Sequence, residues 1–157
     1  MDVLGAIAGL PLADVLRNSA TAYIFVNAGH IFSIGLLVGS ITALDLRLLG
    51  LFRAYSVRDA AGLLSKTAAI GFLGAVIFGV LLFSTRPDAY LENPAFLAKL
   101  TLIAFGVVNA AVLHRGKAWR AVLATGEVAM ATKVSAALSL AVWTGTVLAG
   151  RWIGFLM

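Results

Sequence analysis

Four long runs of the chain, roughly 21–44, 63–84, 95–113 and 134–156, hold almost no charged side chains. In a run that is apolar all round, periodicity cannot separate a buried strand from a helix, so length has to decide. Each run is near the ~20 residues a helix needs to cross hydrocarbon, and an open sheet in lipid would leave its edge N–H and C=O groups unpaired. The pattern predicts an all-α, integral membrane four-helix bundle, one transmembrane domain over 1–157. Polar breaks divide the runs: Arg53 to Asp59, Thr85-Arg86-Pro87-Asp88, and Arg115-Gly116-Lys117 followed by Trp119-Arg120. Pro94 falls in the first turn of the third run, where its missing N–H costs nothing. Ahead of the first run, residues 11–18 mix apolar positions with Asp14 and Arg17, which predicts a short amphipathic helix in the membrane interface. Asp2 stands where a cleaved signal would carry positive charge, so this segment is expected to be retained.

Composition removes the soluble alternative. With 61% apolar and 12% charged residues and a mean hydropathy of +1.00, the chain carries more apolar surface than a soluble fold of 157 residues can hide, so the lipid bilayer is its first partner. It has no cysteine, which excludes disulfides, thiolate metal sites, iron–sulfur clusters and cysteine nucleophiles. The net charge of +5 is distributed by topology. Arg47, Arg53, Arg58 and Lys66 flank the first connection and Arg115, Lys117, Arg120 and Lys133 the third, against Arg17, Arg86 and Arg151 at the other end, beside Asp2, Asp14, Asp88 and Glu92. By the positive-inside rule both termini are expected on the outer, periplasmic side of a bacterial inner membrane. The basic balance is a topology signal, with no bearing on nucleic acid.

Small residues predict where helices meet. Gly35 and Gly39 in the first run, and Gly150 and Gly154 in the fourth, lie one turn apart, and Gly71, Gly74 and Gly79 give the second run a similar set of small residues.

Chemistry has to come from polar groups held at membrane depth, where an ionisable side chain is costly unless it lines a functional interior. His30, Lys99 and Asn109 qualify. His30 shares a stripe at spacings of three and four with Tyr23, Asn27, Ile34, Leu37 and Ile41, so an imidazole, an amide and a phenol should face the bundle together. It lies ~10 Å inside Tyr23 on the usual helical rise, and Lys99 lies at a similar depth from the same side. Antiparallel first and third helices can therefore turn imidazole and amine toward one another. Imidazole is a strong ligand for haem iron, and helical bundles hold flat cofactors between facing side chains. The expected site is His30 as iron ligand, Lys99 as second ligand, Asn27 beside them, and Arg17, Arg86 and Arg151 as cationic partners for the propionates. The competing structural readings are an imidazole hydrogen-bonded to Thr144 or Thr146, a Lys99 whose ammonium snorkels to the headgroups, and an Asn109 that only ties helices together. His114 is ~22 Å nearer the inner side than Lys99 and cannot share one iron with His30. It reads as part of the basic inner rim, with a separate metal site as the alternative. Copper lacks its thioether ladder, since Met1, Met130 and Met157 are the only methionines. Asp45, Asp59 and Glu127 fall toward the inner surface, away from His30, which leaves hydrolytic and carboxylate-relay chemistry without its groups.

Pro11-Leu12, Arg17-Asn18-Ser19, Tyr23, His30, Gly39, Asp45-Leu46-Arg47-Leu48-Leu49-Gly50, Trp143 and Gly150-Arg151-Trp152 together resemble a bacterial family of four-helix membrane proteins of unknown function, across nearly the whole chain. A weaker likeness joins His30 and Phe96-Leu97-Ala98-Lys99-Leu100 to the HemJ-type protoporphyrinogen oxidases, and the chain is also similar to CopD-type copper-resistance membrane proteins. The HemJ-type resemblance implies haem b and a redox role. That enzyme's Arg-Asn-Glu signature is replaced here by Thr132-Lys133-Val134-Ser135, so haem binding is what carries over, apart from porphyrin oxidation. The expected function is that of a haem b cytochrome exchanging electrons with a membrane or periplasmic redox partner. The alternatives are a non-catalytic accessory subunit of a larger membrane complex, and copper or small-solute handling.

Overall fold

The computed structural model describes residues 3–156; Met1, Asp2 and Met157, which enter the charge and thioether arguments above, lie outside the described residues. Two short helices, α1 (Val3–Ala8) and α2 (Pro11–Asn18), precede the first span, α3 (Ala20–Leu48). The second span, α4 (Val57–Phe83), is followed by a short α5 (Pro87–Glu92) and the third span, α6 (Pro94–Arg115). A short α7 (Lys117–Thr125) then leads to the fourth span, α8 (Met130–Leu156). The chain is a multi-pass, all-α membrane bundle with the foreseen interfacial helix as α2, whose Ala13 and Leu16 are buried. No more than 22% of the most apolar stretch of any span is buried inside the protein, so side chains such as Phe25, Phe32, Ile70 and Leu148 are left to lipid.

Local chemistry sets the helix boundaries. All three prolines open helices, Pro11, Pro87 and Pro94, where a fixed φ helps and no N–H is missed. Ser19 caps α3 by accepting from the Ala22 N–H at 3.2 Å, and Ser56 caps α4 by accepting from Asp59 at 3.3 Å. Asn93 caps α6 twice, its Oδ1 accepting from Ala95 at 3.0 Å and Phe96 at 3.3 Å. After α3 the chain turns through Gly50 at φ 104°, a left-handed conformation that glycine alone adopts without strain. Arg47 then donates from Nε to the Tyr55 carbonyl at 2.8 Å, fastening the turn to the end of the helix.

The spans form two close pairs, α3 with α4 and α6 with α8, and the pairs meet where α3 touches α8. Helices α4 and α6 do not pack along one another; Phe83 and Phe96 stack across their outer ends at 5.7 Å, and α7 bridges their inner ends. The inner end is the best-packed part of the molecule, with Leu44, Leu48, Val57, Ala61, Trp119, Val122 and Ala136 in one cluster.

The glycine expectation divides. A Cβ on Gly71 would stand 2.5 Å from the Leu37 nitrogen and one on Gly74 2.5 Å from Ser33 Oγ, so these glycines are where α3 and α4 touch. Gly35 and Gly39 have nothing within 4 Å of where a Cβ would stand and face outward, which corrects their assignment to a helix contact inside the chain. Gly150 meets only the Lys99 side chain, and Gly154 only Arg151.

Candidate functional site

Two polar centres lie in the bundle, one in each half. The outer one is the expected one. His30 projects from α3 onto α4, its Cε1 3.1 Å from where a Gly79 Cβ would be, so the absence of a side chain at Gly79 lets the ring lie on the α4 backbone. The Ala75 carbonyl stands beside the imidazole, while Nδ1 is buried with no hydrogen-bond partner. Lys99 reaches inward from α6 across Gly150 of α8, its Nζ 3.7 Å from the missing Cβ, and is close enough to act electrostatically on His30. The two groups come from different helix pairs, with Lys99 half-buried against α8 and within electrostatic range of the imidazole. Thr146 donates back to the Val142 carbonyl at 2.9 Å, so it does not serve the imidazole.

An aromatic cover closes the outer end above this pair. Tyr90 of α5 packs against Phe83 at 6.0 Å and Phe96 at 5.2 Å, and Tyr23 approaches its hydroxyl. Burial, reinforced by Tyr23, pushes the Tyr90 phenol above the usual tyrosine range. Arg17 and Arg86 line one open groove of about 560 Å³ with Pro87 and Asp88 between α1, α2 and α5. Arg151 stands apart, its guanidinium 4.7 Å from the centre of the Phe155 ring. Two of the three expected cationic partners therefore share a site. Asn27 is half-buried on the same helix as His30, one turn toward the outer side.

The inner centre is one that the sequence does not announce. Asp45, expected near the inner surface, is only 5% exposed, and its Oδ2 is buried without a partner. The Ser139 hydroxyl of α8 faces its carboxyl. Asn109 and Ser135 form a reciprocal pair, Nδ2 donating to the Ser135 carbonyl at 3.1 Å and Ser135 Oγ donating to Oδ1 at 2.9 Å, so Asn109 ties α6 to α8 as foreseen. His114 Nδ1 lies 2.7 Å from the Ala110 carbonyl, its ring 4.4 Å from that of Trp119, and Nε2 faces Ser65 Oγ at 3.5 Å. Between these groups is a half-open cavity of about 240 Å³ that Asp45, His114 and Trp143 all line. A signal for it does exist in the sequence: Thr132, Ser135, Ser139 and Thr146 place hydroxyls on one side of α8 at spacings of three, four and seven.

Neither cavity is lined by His30 or Lys99. Among the described residues no three His, Cys, Asp or Glu side chains come together to hold a metal ion. Comparison with protein-family models, with curated proteins and with solved structures gives no match.

Proposed function

We propose that the protein is a haem b-binding membrane cytochrome of the bacterial inner membrane, exchanging electrons with a membrane or periplasmic partner, with both termini on the periplasmic side. The observation that carries this reading is the buried, unpartnered nitrogen of His30, with Lys99 within electrostatic range, in the outer half of the bundle. A ligating imidazole needs an acceptor for its second N–H, and the Ala75 carbonyl is beside it. A ring flip exchanges the two nitrogens, so either can serve as ligand while the other donates. Lys99 would be the second residue to hold the group, were its amine to lose its proton on binding. A metal held by side chains alone would need several converging ligands, whereas a porphyrin brings its own nitrogens and asks the protein for one or two.

The residues present fit such a group in two further respects. Arg17 and Arg86 line one groove at the outer end of the bundle, the end toward which His30 lies, and would be the cationic partners of the propionates. The Phe83, Tyr90 and Phe96 cluster at the outer end would limit water from that side. When bound, haem b supplies a one-electron iron centre; the chain's own part is to hold, orient and shield it.

The test is the absorption spectrum of detergent-purified protein. Wild type is expected to show a Soret band, His30→Ala to lose it, and Lys99→Ala to keep haem with an altered spin-state spectrum. A colourless wild type from haem-replete cells would reject the reading. Constant copurifying partners in that colourless protein would favour the accessory-subunit alternative.

A further inference from the structure

The inner cavity has a built ligand-binding character that the outer site does not explain. Its walls are mostly apolar and two indoles, Trp119 and Trp143, border it. It opens between α4 and α6, where Ala69 and Val107 are exposed at its edge toward lipid. Two proton-exchanging side chains face it from different elements, Asp45 from α3 and His114 from α6.

Both groups are poised to accept. The Ala110 carbonyl can only accept, so His114 must donate from Nδ1, which leaves a lone pair on Nε2 in the neutral ring. Among the described residues that nitrogen meets Ser65 alone, at 3.5 Å, a distance that leaves it weakly held. Asp45 Oδ2 has no partner at all and no cation: the one salt bridge among the described residues is Arg17 with Asp14, at the opposite end. A buried acceptor left empty is costly unless something donates to it. A ligand that matches both positions carries two hydroxyls on an apolar body and enters from lipid.

We infer that this cavity binds the head group of a lipid-soluble quinol, one hydroxyl donating to Asp45 Oδ2 and the other to His114 Nε2, with the tail leaving between α4 and α6. The inference extends the redox reading above and rests on it for the destination of the electrons; the binding step stands without it. Oxidation breaks the two O–H bonds and converts both C–O bonds to C=O. Asp45 and His114 would take the two protons, and haem b, if held at the outer site, would supply a one-electron acceptor for each of the two electrons in turn. The outer end of the cavity is at Leu37, seven residues or about 10 Å from the level of His30.

The cavity carries its own reporter. Trp152 lies outside it, so in Trp152→Phe both remaining indoles border the site. Titration of that detergent-solubilised protein with decylubiquinol is expected to give saturable fluorescence quenching. Asp45→Asn should weaken the affinity by roughly threefold to tenfold, the loss expected of one ordinary hydrogen bond. Ala69→Phe, at the exposed edge and away from the core, should block entry and serves as the deciding variant where Asp45→Asn fails to fold. Absence of saturable quenching, or unchanged affinity in both variants, overturns the inference. A colourless protein that still binds quinol rejects the haem reading alone, and a coloured protein without quenching rejects the cavity alone.

Discussion

At the scale of single residues, the glycines show how much depends on which side of a helix a position takes. Gly71 is the closest approach to backbone in the bundle, because an added methyl would meet backbone atoms of Leu37, which cannot rotate away as a side chain can. Gly71→Ala is therefore expected to separate α3 from α4 and destabilise the protein by about 1–3 kcal/mol, the usual range for overpacking. Gly35→Ala and Gly39→Ala, with open space around them, should stay within about 0.5 kcal/mol of wild type. Reversible unfolding in mixed micelles, followed by circular dichroism, compares the three; equal effects would contradict the α3–α4 register. The spacing of these glycines was plain in the sequence but their direction was not, since in a span that is apolar all round no polar side marks the outside. His30 and Lys99 could be read because a polar group at membrane depth has few tolerable places to go. Asp45 escaped because a carboxylate near a helix end reads as interfacial until α8 is known to pack against it and face it with Ser139.

At the scale of elements, apolar run length marked all four spans, yet each helix extends beyond its run. Helix α4 begins at Val57, inside what reads as a polar break, because Ser56 caps it and Val57 is buried in the inner cluster. Helix α7 was not legible at all: Lys117, Trp119 and Arg120 look like a surface connection, and only tertiary packing of Trp119 and Val122 makes them a helix that seals the inner end. The junction of α5 and α6 depends on one side chain. Asn93 is 4% exposed and satisfies three backbone groups, since its Nδ2 also donates to the Ile153 carbonyl of α8 at 3.3 Å. Asn93→Ala removes the cap and leaves that carbonyl buried, so a loss of about 1–3 kcal/mol is expected. Asn93→Asp retains the accepting oxygen and should lie between the two. Thermal unfolding in detergent ranks them, and an Asp variant no better than Ala would show that the α8 contact outweighs the cap.

At the scale of the whole molecule, the fold places its cations and its two polar centres in a fixed relation. The connections α3–α4 and α6–α7–α8 gather Arg47, Arg53, Arg58, Arg115, Lys117 and Arg120 at one end, next to the Asp45 cavity, whereas the His30 and Lys99 pair lies toward the end that bears both termini. Cytoplasmic retention of basic connections would then put the proposed haem site toward the periplasm and the proposed quinol site toward the cytoplasm, so that electrons and protons would part across the membrane. The chain has no native cysteine, which makes single introduced cysteines clean reporters of this orientation. Asp88→Cys, in α5 and exposed, should react with a membrane-impermeant maleimide in cells whose outer membrane has been made permeable. Lys117→Cys, exposed at the start of α7, should react only after the inner membrane is broken. The reverse pattern would turn the bundle over while leaving its internal geometry intact, and would move the proton-accepting groups to the periplasmic half.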